Sequence, residues 1–232
     1  MKLHDEMIVP AWKVLPKQVR DRLYDNLKTN YKHMEIKNII FDFGGVLIDW
    51  NPRYLYRNVF QDEVEMEYFL KEVCSTEWNI QQDAGRSLDE ATEELVKKFP
   101  QYEKEIRNYY SDWEKMIGGA IEENAALIKD LKDKYRLFGL TNWSAETFPI
   151  AFDQYPFFKE LEGIVVSGTE KLIKPDARIY QLLLTRYGLT ANESLFIDDN
   201  QENVDAANRL GFKSIPLLKG VNLKDELERL GL

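Results

Sequence analysis

Short hydrophobic segments recur along this chain at wide intervals, each bounded by glycine or polar residues. Apolar runs of this length are typical of strands in a parallel sheet that is covered on both faces. The segments are Ile36–Phe43, Tyr135–Asn142, Gly163–Gly168, Ser194–Asp199 and Lys213–Leu218. Helical patterns lie between them, at Asn124–Lys134 and Ala177–Tyr187. The alternation predicts an α/β fold, with a doubly wound parallel sheet that carries helices on both faces.

One interval between predicted strands is too long for this alternation of strands and helices. About ninety residues separate the first predicted strand from the second, more than a single crossover helix needs. The interval begins at Asn51-Pro52, a typical N-cap followed by a first-turn proline. Amphipathic stretches follow at Tyr54–Phe60, Glu63–Val73, Leu88–Phe99 and Tyr102–Ile117. They predict an all-helical cap, residues 51–117, inserted into a core made of residues 34–50 and 118–232.

The first 33 residues precede the predicted core. They carry one helical pattern, at Leu15–Leu27, and are therefore predicted to form an N-terminal helical extension. Two interpretations stay open for this segment. It is either an accessory helix that packs on the core or an extension that is dispensable for activity.

Polar residues stand where the predicted strands end. In chain order they are Asp42, Thr141-Asn142, Lys174 and Asp198-Asp199. Because ligands of open α/β sheets bind beyond the carboxyl ends of the strands, these residues are expected to share one site. Taken singly, each has an ordinary structural explanation. Thr141-Asn142 is a possible helix cap, and Asp198-Asp199 is a possible turn before a helix.

The set as a whole resembles the haloacid dehalogenase-like hydrolase superfamily. The resemblance rests on the segments IIFDFGG, TN, EKLIKPDARIY and FIDDNQENVDAANRLGF, in this order, and covers residues 35–220. A helical insert also stands where that family usually carries its cap. The segment around Gly44 is most similar to a bacterial subgroup that hydrolyses sugar 1-phosphates. The resemblance therefore implies a Rossmann-like core and a phosphatase.

The resemblance also assigns roles to residues. It implies that Asp42 is the nucleophile and forms an aspartyl-phosphate, with Lys174 as the second catalytic residue. Phosphate binding is implied for Thr141, Asn142 and Lys174, and Mg²⁺ binding for the Asp42 carboxylate, the Gly44 carbonyl and Asp199. Asp198 and Asn203 are implied as supporting residues, and Trp78, Asp83 and Arg86 as a cap loop over the substrate. The chemistry is consistent, since Mg²⁺ prefers oxygen ligands and phosphoryl transfer needs a nucleophile and fixed positive charge.

Gly44 departs from the usual pattern of the family. Most phosphatases of the superfamily have a second aspartate at this position, which acts as general acid and then as general base. Such help is typically worth about 10²–10⁴ in rate, and Asp49, just before Asn51-Pro52, is a poor substitute. The expected substrate is therefore a small phosphorylated metabolite with a readily departing leaving group, such as a sugar 1-phosphate or an acyl phosphate.

Two alternatives remain at this point. 2-Haloacid dehalogenases also lack the second acid and need no metal, and a non-catalytic binding scaffold would need no acid at all. The adjacent Asp198 and Asp199 favour the magnesium-dependent enzyme, because two carboxylates at a strand end are stabilised by a cation and would repel a haloacid.

The composition of the chain limits the kinds of partner and the cellular location that are expected. The net charge of −9 and the pI of 5.0 argue against binding to nucleic acid or to an anionic membrane. The single cysteine, Cys74, is predicted to be a buried apolar residue in a reducing compartment. The N-terminal sequence lacks the apolar stretch of a secretory signal, so the expected location is the cytoplasm. The expected assembly is a monomer or a homodimer.

Overall fold

A parallel sheet forms the centre of the protein. The computed structural model describes residues 35–232, and the predicted extension of residues 1–33 lies outside the described residues. The strands, in chain order, are β1 (Asn38–Phe41), β2 (Ile48–Trp50), β3 (Ile117–Ala120), β4 (Arg136–Thr141), β5 (Gly163–Val166), β6 (Ser194–Asp198) and β7 (Lys213–Pro216). Among the described residues, a five-stranded sheet has the order β5-β4-β1-β6-β7, with every neighbouring pair parallel. The predicted α/β fold is confirmed.

The register of the sheet decides which side chains reach the site. Phe41 at the end of β1 lies opposite Gly139 of β4 and Ile197 of β6. The residue that follows β1, Asp42, therefore lies beside Thr141 and Asp198, the last residues of the two neighbouring strands. This follows from parallel pairing, since strand ends meet at one edge.

Both faces of the sheet are covered by apolar side chains. Successive strand residues point to opposite faces, so Ile39 and Phe41 belong to one buried cluster and Ile40 to the other. The helices of the core are α6 (Glu122–Ala125), α7 (Leu127–Leu131), α8 (Phe148–Gln154), α9 (Ser167–Glu170), α10 (Ala177–Tyr187), α11 (Gln201–Arg209) and α12 (Leu223–Leu230). The helix predicted at Ala177–Tyr187 is confirmed, whereas the stretch predicted at Asn124–Lys134 is divided between α6 and α7.

The insert between β2 and β3 is helical. Its elements are α1 (Arg53–Tyr56), α2 (Glu63–Tyr68), a π-helical segment (Phe69–Val73), α3 (Thr76–Asp83), α4 (Leu88–Lys98), α5 (Glu103–Ser111) and 3₁₀ turns at Pro100–Tyr102 and Trp113–Met116. Side chains of Asp62, Ser75 and Ser87 cap α2, α3 and α4 by accepting backbone N–H groups. Aromatic residues fill the interior of the insert, and Cys74 is buried among them as predicted.

A small antiparallel sheet joins the insert to the core, and the sequence did not predict it. Strands β2 and β3 pair through Asp49 and Gly119, so the chain enters and leaves the insert side by side. A Cβ on Gly118 would lie 2.5 Å from Asp49 Oδ2, which explains the glycine. The pattern missed β3 because Ile117 also ends an amphipathic stretch. Among residues 35–232, no helix combines the length and apolar character that crossing a bilayer requires.

Candidate active site

Asp42 follows β1 directly and begins a tight turn. Its N–H donates to the Ile197 carbonyl at 2.8 Å, which keeps the residue in the sheet. The Phe43 carbonyl then accepts the N–H groups of Leu47 and Ile48, each at 2.8 Å, and reverses the chain. The Asp42 side chain is buried, and the residue lies at the edge of the sheet, at the strand end where the sequence places it.

Lys174 lies between two carboxylates. Its Nζ is 2.9 Å from Asp42 Oδ1 and 2.6 Å from Asp198 Oδ2, and its side chain is fully buried. Burial acts to lower the pKa of the Lys174 ammonium, but Asp42 and Asp198 outweigh it, so that pKa lies above its ordinary value. Lys174 is therefore a fixed positive charge beside Asp42.

Asp198 is held by a hydrogen-bond network of its own. Its carboxylate accepts the Asn203 side-chain amide at 3.0 and 3.1 Å and the Asn200 N–H at 2.8 Å. These contacts and Lys174 satisfy the buried carboxylate. The structure thus places Asn203, one of the predicted supporting residues, directly against Asp198.

The site has more negative than positive charge, because three carboxylates, those of Asp42, Asp198 and Asp199, lie close together beside Lys174. One oxygen from each lies within 4.8 Å of the others, and Asp199 is exposed at the edge of the cluster. Burial first, and then repulsion from Asp198 and Asp199, raise the pKa of Asp42 to about 7 in spite of Lys174. Loss of surrounding water and the Asp198 carboxylate also raise the pKa of Asp199. Such a group of oxygen ligands fits a hard divalent cation.

The two residues that end β4 have different surroundings. Thr141 is buried at the strand end. The Asn142 side chain pairs with the backbone of Lys174: its Nδ2 donates to the Lys174 carbonyl at 2.9 Å, and its Oδ1 accepts the Lys174 N–H at 2.8 Å. The amide that the sequence assigned to phosphate thus holds the lysine loop in place.

Gly44 and Gly45 follow Asp42 but have different reasons to be glycine. A Cβ on Gly45 would lie 2.1 Å from Asp199 Oδ2, and its φ is +69°. A Cβ on Gly44 would meet no atom of the described residues within 4 Å, apart from its chain neighbours. Gly45 is therefore required by the fold, whereas position 44 has room for a side chain.

Alanine substitutions should separate these two glycines. Gly45→Ala is expected to cost about 1–3 kcal/mol of unfolding free energy, because a non-glycine residue with positive φ is strained and the methyl displaces Asp199. Gly44→Ala should be nearly neutral, and urea denaturation measures both. Equal losses in the two variants would contradict this account of the loop.

The predicted cap-loop residues are not all near this edge. Trp78 packs against Tyr109 and Tyr110 at centroid distances of 5.2 and 5.4 Å and is part of the insert's interior. Arg86 pairs with Glu94 and lines a separate depression with Trp78. Asp83 is the one of the three that lines the cavities beside the site, as far as the described residues show. The predicted grouping is corrected accordingly: helical phase directs Trp78 inward and Asp83 toward the core.

Two adjoining cavities lie between the insert and the core. The larger, about 630 Å³, is lined in part by Asn51, Arg53, Glu67, Ile80, Asp83 and Asn142. The smaller, about 110 Å³, is lined by Gly44, Trp50, Asn79, Asp83, Tyr110, Trp113, Asn142, Trp143, Ser144 and Thr147. Trp50 and Asn79 line both cavities and were missed. For Asn79 the signal was its spacing from Asp83, because residues four apart share a helix face.

The fold and the site define a class of hydrolases with a Rossmann-like core and a helical cap. Comparison with known proteins gives the same class. The chain matches the haloacid dehalogenase-like hydrolase family over residues 39–216 and belongs to that family.

The individual proteins compared below share only 20–28% sequence identity with this chain. The sesquiterpene phosphatase AstK of Aspergillus oryzae is 26% identical over 198 residues, which cover 84% of this chain and 96% of that protein. An (S)-2-haloacid dehalogenase of Burkholderia cepacia is 28% identical over 97 residues, 41% of this chain and 42% of that one. A family enzyme of Bacteroides thetaiotaomicron, solved as a magnesium complex, has a TM-score of 0.68 at 20% identity, with 83% of this chain and 98% of the other covered.

Proposed function

We propose that this protein is a magnesium-dependent phosphomonoesterase that acts on a small phosphorylated metabolite through an aspartyl-phosphate on Asp42. The observation that carries the proposal is the buried Lys174 ammonium between Asp42 and Asp198, with Asp199 beside them. Hydrolysis of a phosphomonoester needs a fixed nucleophile and fixed positive charge, and this edge of the sheet supplies both. The similarity to a sesquiterpene phosphatase over 84% of the chain supports phosphate chemistry.

Each residue has a defined part in the proposal. The Asp42 carboxylate forms a bond to phosphorus, and Lys174, whose Nζ lies 2.9 Å from Asp42 Oδ1, balances charge on the phosphoryl oxygens. Thr141 ends the neighbouring strand and is proposed to donate its hydroxyl to the phosphoryl group. Asn142 is proposed to act mainly by holding the Lys174 backbone, and Asn203 by holding Asp198.

The metal would be held by the Asp42 carboxylate, the Gly44 carbonyl and the Asp199 side chain. The chemistry of these donors fits Mg²⁺, which prefers hard oxygen ligands. When bound, Mg²⁺ supplies positive charge that reduces the repulsion between an anionic nucleophile and an anionic substrate. Asp198 already has Lys174, Asn200 and Asn203 as partners, so Asp199 is the more available carboxylate.

The insert, residues 51–117, is proposed as the cap that encloses the substrate against the core of residues 34–50 and 118–232. The larger cavity, about 630 Å³, is within the range of small-molecule sites, about 300–1,000 Å³. Sugar 1-phosphates and acyl phosphates are the proposed substrates, since Gly44 supplies no proton. A cytoplasmic location and a monomeric or homodimeric state stay predictions.

The charge of the site supports the phosphatase over the dehalogenase. A 2-haloacid carries its own carboxylate, which Asp198 and Asp199 would repel, so metal-free dehalogenation is disfavoured. A panel of sugar phosphates, nucleotides and acyl phosphates, assayed with and without Mg²⁺, tests the proposal. Phosphate release that needs Mg²⁺ is expected. Turnover unaffected by a chelator would contradict the metal assignment, and halide release from a 2-haloacid would favour the dehalogenase.

Magnesium binding has a readout that does not depend on activity. Mg²⁺ at a hundred times its dissociation constant should stabilise the wild-type protein by about 2.7 kcal/mol. Asp199→Asn should lose most of this gain, and thermal melts at matched ionic strength measure both. Asp205→Asn is the control, because Asp205 is an exposed acid outside the cluster, bonded to Gln201. An equal magnesium effect on all three proteins would contradict the site.

A further inference from the structure

The proposed reaction lacks a proton donor in the loop after Asp42. Gly44 has no side chain, and Asp49, the next acid along the chain, accepts the Tyr54 hydroxyl at 2.6 Å and lines neither cavity. The leaving oxygen of an alkyl phosphate needs a proton, so the position of other acids around the cavity matters.

Asp83 is such an acid. It ends α3 and lines both cavities, sharing the smaller one with Gly44 and Asn142. It shares the smaller cavity with Ser144, a core residue two positions beyond Asn142, whose backbone acts to lower the pKa of the Asp83 carboxyl against the larger effect of burial. The side chain therefore reaches across from the insert to the loop that follows β4.

Hydrogen bonds hold Asp83 beside the cavities, but no cation pairs with its carboxylate among the described residues. Asn79 Nδ2 donates to Asp83 Oδ2 at 3.3 Å, and Tyr110 in turn donates to Asn79 Oδ1 at 3.0 Å. Ser167 of the core donates to the Asp83 carbonyl at 2.6 Å and anchors the helix end. Among residues 35–232, no basic side chain forms an ion pair with Asp83. Burial raises the pKa of Asp83 to about 7, so the group exchanges a proton near neutral pH.

We propose that Asp83, supplied by the insert, is the general acid and base of the reaction, in place of the acid that Gly44 lacks. The inference rests on the proposed phosphatase function and deepens it. As Asp42 bonds to phosphorus, the bond from phosphorus to the leaving oxygen breaks, and the Asp83 proton passes to that oxygen to give the alcohol. Water then attacks phosphorus, the Asp83 carboxylate takes its proton, and the bond between Asp42 and phosphorus breaks. Phosphate is released, and both residues return to their starting states.

This assignment widens the expected substrates. With a proton donor in the smaller cavity, the enzyme hydrolyses ordinary alkyl phosphates as well as esters with good leaving groups. The space around Gly44 is where the leaving group and the Asp83 carboxyl meet, which accounts for the absence of any described atom within 4 Å of a Cβ there.

The test compares two esters in full-length wild-type protein and Asp83→Asn. The asparagine keeps an oxygen that can accept from the Asn79 amide but has no acidic proton. It should lower kcat/KM by about 10²–10⁴ for glycerol 1-phosphate and by less than about threefold for p-nitrophenyl phosphate, whose leaving group needs no proton. Asp83→Ser should give the same pattern, so a packing fault in one variant does not decide the result. Asp89→Asn, an exposed acid of the next helix, should leave both esters unchanged.

Each other outcome is informative. Equal losses for both esters would overturn the proposal and show that Asp83 only positions the insert. No loss for either ester, or wild-type cleavage of p-nitrophenyl phosphate alone, would overturn it as well. Absence of phosphate release from both esters by the wild-type protein would instead overturn the proposed function, and this role with it.

Discussion

Replacing Asp42 with asparagine is expected to abolish phosphate release, with a loss on the order of 10⁶-fold, the scale measured when a nucleophile is removed. The amide is a poor nucleophile and cannot form an aspartyl-phosphate. The fold should survive, because Asn is isosteric and removes one charge from a site with excess negative charge. Phosphate release and thermal melting, measured on the same sample, check both expectations.

Asp49→Asn is the matched control for this variant. Asp49 lies seven residues further along, in β2, and bonds to Tyr54 outside the cavities. The Asp49→Asn variant should retain wild-type turnover. Substantial activity in Asp42→Asn would show that another group receives the phosphoryl group or that water attacks directly.

Replacing Lys174 with methionine is expected to cost about 3–5 kcal/mol of unfolding free energy, because it leaves the buried Asp42 and Asp198 carboxylates without their cation. Methionine fills a similar volume, so the loss reports charge and not a cavity. Urea denaturation without Mg²⁺ gives the magnitude. Turnover should fall as well, since the phosphoryl oxygens lose their fixed positive charge.

A second substitution tests whether unpaired buried charge causes this loss of stability. Adding Asp198→Asn to Lys174→Met removes one of the orphaned charges and should restore part of the lost stability. Lys224→Met, at an exposed lysine in α12, should have no measurable effect. A Lys174→Met protein as stable as the Lys224→Met control would show that the buried ion pairs contribute nothing to the fold.

The sheet and most of the site could be predicted because both follow from one regularity. Parallel strands place their carboxyl ends at one edge, so residues distant in sequence, such as Asp42 and Asp198, had to meet. Short apolar runs were sufficient to locate the strands. The observed strands are shorter than predicted, although the site residues Thr141 and Asp198 remain paired within the sheet.

Other features depend on where side chains and helix faces point, and a pattern of apolar runs does not contain that information. The Asn142 amide turns back to the Lys174 backbone, and nothing in the Thr-Asn pair distinguishes that contact from phosphate binding. The β2–β3 pair was missed because it is short and contains Gly118 and Gly119. Trp78 and Asp83 lie on different faces of α3, and Arg86 lies beyond the end of that helix. A single sequence does not show which face of α3 meets the core.

Covalent capture at Asp42 tests the central claim most directly. Wild-type protein is mixed with substrate and Mg²⁺, quenched in acid during turnover, and treated with borohydride, which reduces an aspartyl-phosphate to homoserine. Peptide mass spectrometry then locates the change. Homoserine at position 42, dependent on substrate, is the predicted result. Phosphate release during turnover with Asp42 unmodified, or with homoserine at another aspartate, would contradict it.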